Sequence, residues 1–326
     1  MIFAYLSRLL CLCLASFFLV HLALGLAAWI FAPAAVRLAE RMRPRLAVRF
    51  LFALRLAPVA LALFAVLALC VPSYLWLEPE TTGEQVGLAC FAMAILGAAV
   101  WSISFARVIR ALADSVRITR HYQMAGRATF VPGELSPALV IEDEAPLLAL
   151  AGVIRPQLII SRGVLRALSA EQLDAALRHE DAHRASRDNL KRLLFLLAPE
   201  ILPFSRSFAA LERSWTRLTE WATDDKATGG DPRHAVSLAA ALVGVARLGA
   251  SLRLSFLLSS LVAGDRDLSA RVERLLHAGR QQENPTGRMR SVVAVTALLM
   301  AGALASVLFV PATLASVHRI LEQLLR

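Results

Sequence analysis

The sequence predicts a mainly α membrane protein: four transmembrane helices, with a polar domain, helical and carrying a small β element, inserted between the third span and the fourth. Three observations predict it. The chain has 326 residues, 57% of them hydrophobic, and a mean hydropathy of +0.59, which is too apolar for a domain that is soluble throughout. Apolar runs of about 20 residues or more, the length that crosses the hydrocarbon core, recur along it. Arg, Asp and Glu crowd instead into the stretch from Arg107 to Arg290, which excludes a purely embedded bundle, and the apolar fraction excludes intrinsic disorder.

The first run, Leu9 to Ala35, is longer than the roughly 7–15 residues of a signal-peptide core and lacks a clean charged start, so it reads as a span that stays in the mature protein. The second extends from Leu56 to Leu77 and the third from Val86 to Ala106, making 1–106 a three-span unit ahead of the 107–290 domain. A fourth run, 291–317, leaves 318–326 as a short extracytoplasmic tail. Arg37, Arg41, Arg43, Arg45, Arg49 and Arg55 lie between the first two spans, whereas the turn from Glu78 to Glu84 carries only acidic charge. Cytoplasmic loops collect basic residues, so the arginine loop belongs inside. Arg107, Arg110, Arg117 and Arg120 after the third span put the 107–290 domain on that same side, with both termini outside.

This topology accounts for the net charge of +10, which is almost all arginine. A nucleic-acid reading fails, because the arginines cluster beside spans without aromatic interleaving or a binding motif. The four cysteines, Cys11, Cys13, Cys70 and Cys90, all fall in apolar runs and read as small buried hydrophobes rather than as a disulfide framework or metal knuckle.

Within the polar domain, Gln123 to Pro137 reads as an irregular lead-in punctuated by Gly and Pro. Two short strands are expected, Leu139–Ile141 and Gln157–Ile160, both apolar and β-branched. A helix follows from Ser169, an N-cap residue with Gln172 three positions on to complete a capping box. A second is marked by Leu211, Trp215, Leu218 and Ala222 at helical spacing, and Gly229–Gly230 end it. The apolar segments 193–204 and 256–262 are too short to span, and domain core or docking on the bilayer surface explains them equally well.

The first of these helices contains His179-Glu-Asp-Ala-His183, the HExxH pattern in the context it requires. Positions four apart share a helical face, with Cβ atoms about 5–6 Å apart, so two imidazoles can bind one Zn²⁺. Glu180 is then placed to take a proton from a zinc-activated water as it attacks a peptide carbonyl. A tetrahedral site needs a third protein ligand. Glu220 and Asp224 share a face of the second helix, Glu220 as candidate third ligand and Asp224 as acceptor for the free ring N–H of a liganding histidine. On spacing alone, two solvated carboxylates on an amphipathic helix explain them equally well. Asp188, five residues after His183, is a further candidate for the acceptor role. Arg271 or His277 is a candidate to stabilise the oxyanion, with no spacing argument to choose between them. His121 and His234 are isolated, and His21 reads as a packed or interfacial residue of the first span.

The stretch His179 to Asn189, followed by Glu220-x-x-x-Asp224 and by Ser269-Ala-Arg-Val-Glu-Arg-Leu-Leu276, resembles the BlaR/MecR family of membrane zinc peptidases, within the gluzincin group. Gly152 and Pro156, ahead of an apolar strand, resemble the segment that family places before its active-site helix. The likeness spans roughly residues 135–280, plus three spans before the domain and one after it. It implies a gluzincin-like zinc protease domain holding one Zn²⁺ per chain, with His179, His183 and Glu220 as ligands and Glu180 as base. It also implies a bacterial cytoplasmic membrane location and a cytoplasmic or juxtamembrane protein substrate, such as a transcriptional repressor or a membrane protein. The β-lactam-sensing members carry a large extracellular domain after the fourth span. Only about ten residues follow Ser316 here, so a β-lactam receptor is not expected, and any signal enters through the spans, the 78–85 turn or a separate sensor protein. The alternative from another class is a non-catalytic membrane signalling or scaffold protein whose zinc site is structural or degenerate. Glu180 discriminates, because a structural site needs no general base.

Overall fold

The computed structural model of the protein describes residues 2–77, 86–130, 137–200, 206–248, 259–260 and 265–277, with isolated positions between 315 and 323. Three helical segments, Tyr5–Glu40, Pro44–Leu77 and Leu88–Ala125, are long and apolar enough to cross a membrane. The expected fourth span, 291–317, lies almost wholly outside the described residues, as does the acidic turn.

All three helices overrun their apolar stretches. Helix α1 (Ile2–Glu40) continues five residues past Ala35, and α2 (Pro44–Ala65) begins well before Leu56, with Pro44 preset for the first helical turn. The physical reason is burial: Ala32 and Ala39 of α1 and Ala47, Val48 and Leu51 of α2 pack with Leu211, Trp215 and Leu218 of the polar domain. Arg45 and Arg49 stay exposed on the outer face of that turn while Arg55 is buried. A π-helical turn, Val66–Cys70, interrupts the second span before α3 (Val71–Leu77) completes it. Helix α4 (Leu88–Ala125) runs beyond Ala106, and its polar extension brings Ile118 and Tyr122 onto the sheet.

The sheet has five strands, β1 (Gly126–Thr129), β2 (Ala138–Ile141), β3 (Leu148–Ala151), β4 (Gln157–Ser161) and β5 (Ser259–Ser260), in the order β1-β2-β4-β3-β5. β2 and β4, the two expected strands, run parallel with Val140 opposite Ile160, and the remaining pairs are antiparallel. β1, β3 and β5 were not anticipated. β3 is a Leu/Ala run with helical propensity, yet it pairs Leu150 with Leu158 across a hairpin that turns at Gly152, whose φ of 101° suits glycine. Side chains alternate as a pleat requires. Leu148, Leu150, Leu158 and Ile160 join one core cluster, and Leu139, Ile141, Ala149 and Ile159 join another beneath α4.

Helix α5 (Arg162–Ala167) leads from β4 into α6 (Ala170–Ser186), whose capping box forms with both reciprocal bonds: Ser169 Oγ accepts from the Gln172 N–H, and the Gln172 side chain accepts from the Ser169 N–H. Then come α7 (Asp188–Leu197), α8 (Arg206–Thr228), α9 (Pro232–Arg247) and α10 (Asp265–His277). Gly229 and Gly230, at φ of 59° and 84°, end α8 at the expected place. Phe195 and Ala198 of the ambiguous 193–204 segment pack against residues of the membrane helices, Phe195 with Phe52 at a ring separation of 5.4 Å. Of the 256–262 segment, only Ser259 and Ser260 are described, as β5.

Candidate metal centre

Helix α6 carries His179, Glu180 and His183 on its inward face because Ala175, Ala176, Leu177 and Ala182 bury the same side against sheet and helices. Helix α8 lies across it and contributes Glu220 and Asp224, one turn apart, just beyond the Leu211, Trp215 and Leu218 contacts that fix α8 on the spans.

These residues meet. His179 Nε2 and His183 Nε2 are 3.2 Å apart, and Glu220 Oε2 lies 3.5 Å from the first and 3.7 Å from the second. A triangle of that size has a point about 2 Å from all three corners, which is the length of a Zn–N or Zn–O bond at roughly 2.0–2.2 Å. The group could hold a metal ion. Neither oxygen of the buried Glu220 receives a hydrogen bond, a costly arrangement for a carboxylate unless a cation faces it.

The opposite ring nitrogens each lie beside a carboxylate, in a hydrogen bond at His183 and in an ion-pair contact at His179. His179 Nδ1 is 2.9 Å from Asp224 Oδ1, and His183 Nδ1 is 2.8 Å from Asp188 Oδ2. Each histidine thus has a carboxylate behind it, the arrangement that fixes a metal-binding tautomer and leaves Nε2 as the donor atom. Asp188 is in turn bound by Lys191 Nζ at 2.8 Å. Asp224 receives both Nε and Nη2 of Arg271, at 2.9 and 2.7 Å, while Arg271 Nη1 stands 3.3 Å from Glu220 Oε2. Arg271 therefore positions the two α8 carboxylates, a fork-on-carboxylate contact of high geometric specificity. His277 is exposed, with Nδ1 2.7 Å from the Glu273 carbonyl oxygen of its own helix, and does not join the group.

The electrostatics follow from these partners. Burial works against a charged His183, but the Glu220 carboxylate and the Asp188 hydrogen bond outweigh it and raise its pKa to about 10. His179 is raised as well: burial opposes its charge, and Asp224 and Glu220 prevail. Glu220 moves the other way, well below the usual carboxylate range, because His183, His179 and Arg271 overcome its burial. Asp224 is likewise lowered, with Arg271 the main force against burial. A field that favours two imidazolium protons here also favours a divalent cation between the same ligands.

Glu180 differs from all of these. It is fully buried, neither of its oxygens receives a hydrogen bond, and burial raises its pKa to about 7, with His183 and His179 offsetting part of the effect. A carboxylate poised near neutrality can both accept and return a proton. Beside His183, a groove of about 610 Å³ opens between the β3–β4 hairpin and the α6–α7 junction, lined by Leu150, Ile154, Arg155, Arg184, Arg187 and Leu190 among others.

Three contributors were not read from the sequence. Asn189 donates from Nδ2 to the carbonyls of Gly152, at 2.8 Å, and Leu150, at 3.2 Å, tying α7 to the hairpin. Lys191 and Thr223, whose Oγ1 is 3.4 Å from His183 Nδ1, complete the surroundings. Lys191 sits three residues from Asp188 on a helix and was legible from that spacing; nothing local marks Asn189 or Thr223. His21 is packed, with Nε2 3.0 Å from the Pro199 carbonyl oxygen, His121 is exposed, and His234 lies away from the metal ligands. No family model and no curated protein matches this sequence.

Proposed function

We propose that the protein is a membrane-bound zinc endopeptidase of the BlaR/MecR-like, gluzincin kind, hydrolysing peptide bonds of a cytoplasmic or juxtamembrane protein. The observation that carries this reading is the pairing of a three-ligand group, His179, His183 and Glu220, with a buried carboxylate at Glu180 that neither binds nor pairs within it. The donor set fits zinc: two imidazole nitrogens and one carboxylate oxygen leave a fourth tetrahedral position for water or substrate.

Bound there, Zn²⁺ would supply Lewis-acid activation of the attacking water and of the peptide carbonyl. The chain does the rest. Glu180 accepts the water's proton at a carboxylate oxygen and returns it to the amide nitrogen as the C–N bond breaks, so the products are a carboxylate and an amine. Asp224 and Asp188 accept at Nδ1 of His179 and His183, so that Nε2 is the ring nitrogen aimed at the metal, and Arg271 holds Glu220 and Asp224 in register. The groove beside His183, with apolar walls and arginines, offers an extended peptide both burial and hydrogen-bond donors. A purely structural site, the scaffold alternative, leaves the unpaired buried Glu180 without a purpose.

The arginine-rich α1–α2 turn and the basic start of the α4 extension support a cytoplasmic location for this domain in a bacterial inner membrane, with control by a separate sensor protein. The deciding experiment uses the purified full-length chain in nanodiscs, with metal content measured alongside cleavage of an unfolded protein substrate. Wild type is expected to carry one zinc per chain and to cleave, and Glu180→Gln to carry the zinc without cleaving. Equal cleavage by both rejects the assignment. A periplasmic signal from a reporter fused within 123–135 rejects the topology separately.

A further inference from the structure

The groove beside His183 has two walls, and each carries an exposed arginine. Arg155 belongs to the turn of the β3–β4 hairpin, and Arg187 stands where α6 gives way to α7. Asn189, in the first turn of α7, clamps the walls together: its Nδ2 bonds to the hairpin carbonyls hold the hairpin against α7. Between the walls, Leu150, Leu158 and Leu190 supply an apolar lining.

The charge of this groove is unbalanced. Arg184 is occupied, because its guanidinium pairs with Asp181 one turn back on α6. Asp188 is the carboxylate among the described lining residues, and it is already held by His183 Nδ1 and by Lys191 Nζ, each at 2.8 Å. Arg155 and Arg187 have no ion pair among the described residues. Two uncompensated guanidinium groups therefore border one cavity, and their field favours an anionic occupant.

The backbone at Arg187 adds a second observation. Its φ of 54° and ψ of 43° are left-handed, and it is the one non-glycine residue with positive φ among the described residues. That conformation is disfavoured for residues with a Cβ, and glycine or asparagine adopts it more readily. The turn itself has a clear use, since it brings Asp188 back onto His183. Glycine would make the same turn with less strain, so the backbone does not account for an arginine here, whereas the groove does.

Resting on the peptidase reading above, we propose that Arg155 and Arg187 determine specificity: the groove takes an aspartate or glutamate side chain of an extended peptide substrate, near the bond that is cut. A guanidinium fork offers paired N–H donors that match a carboxylate, and the apolar lining strengthens the contact relative to open water. A lysine at the same substrate position meets like charge and leaves both arginines unpaired, so discrimination has an attractive and a repulsive part. Asp188 does not oppose the acidic side chain, because its own charge is met by His183 and Lys191.

The test uses the zinc-loaded full-length chain in nanodiscs with a library of proteome-derived peptides, and cleavage sites are read by mass spectrometry. Asp and Glu are expected to be enriched at one fixed position relative to the cut. A peptide from the best site and its counterpart with lysine in place of the acidic residue should then differ in kcat/KM by about tenfold or more. Arg155→Gln combined with Arg187→Asn, in which asparagine suits the left-handed turn, should erase that difference by raising KM for the acidic peptide. Arg155→Glu combined with Arg187→Glu should turn the preference toward the lysine peptide. Fluorescence anisotropy of the two peptides on the Glu180→Gln chain reads the same preference without turnover. Cleavage with no acidic enrichment, a preference that survives in the Gln/Asn variant, or equal binding of the two peptides overturns the proposal and leaves the peptidase reading standing. Failure of zinc-loaded wild type to cleave any peptide removes that reading and the proposal with it.

Discussion

Two groups of buried charge lie on α8 about 12 Å apart along its axis, and they are completed in different ways. At the junction with the spans, Arg55, only 4% exposed, binds Glu212 at 3.1 Å and Glu200 at 3.4 Å, and its guanidinium lies over the Phe195 and Phe208 rings. Arg107 of α4 meets the other Glu200 oxygen at 2.9 Å. There the chain supplies the cations its carboxylates need. Two turns along, among the described residues, Glu180, Glu220, Asp224 and Asp188 face Arg271 and Lys191 as fixed cations, and the oxygens of Glu180 and Glu220 receive no hydrogen bond. The first cluster is thus neutralised within the chain, whereas the second is a group that could hold a metal ion.

That contrast can be broken from either side. The largest expected effect is on metal: His179→Ala combined with His183→Ala should lose stoichiometric zinc, leaving Glu220 as a lone ligand, and full retention by mass-spectrometric metal analysis would show that the ion sits elsewhere. Glu180→Gln comes next, with zinc and melting temperature unchanged and peptide hydrolysis about 10²–10⁴-fold slower, measured as kcat/KM. Asp188→Ala or Asp224→Ala should weaken zinc about 10–100-fold in chelator competition, because the histidine behind each loses its orienting acceptor. An affinity equal to wild type would return that aspartate to a packing role.

The junction should answer in stability instead. Arg55→Ala is expected to cost about 1–3 kcal/mol, since Glu212 loses its guanidinium while Glu200 keeps Arg107, and to leave zinc affinity unchanged. A large loss of zinc in that variant would show that the two clusters act as one unit through α8. The last effect is pH dependence. With His183 raised to about 10, a proton competes with the metal throughout the neutral range, so zinc uptake releases protons and affinity rises with pH by up to about tenfold per unit for each proton displaced. An affinity independent of pH between 6 and 8 would mean that the carboxylates do not hold a proton on the histidines.

What was legible in advance has a local origin. The four-residue spacing of His179 and His183, the Ser169–Gln172 cap, the Gly229–Gly230 stop and three of the apolar spans each depend on groups within a few turns of one another, and each appears in the fold. The grouping of Glu220 with two histidines some forty residues earlier was open on spacing alone, because a carboxylate on an amphipathic helix looks the same whether solvated or turned inward. Packing of Leu211, Trp215 and Leu218 against α1 and α2 decided it by fixing the rotation of α8. The same kind of decision made a strand of Leu148–Ala151, whose residues favour a helix until β4 and β5 flank them, and turned Arg271 onto Asp224. It also gathered cysteines from three helices that no window of sequence contains together. Periodicity and capping are properties of a short stretch of chain, whereas the facing of one helix toward another is set only when distant apolar surfaces are buried together.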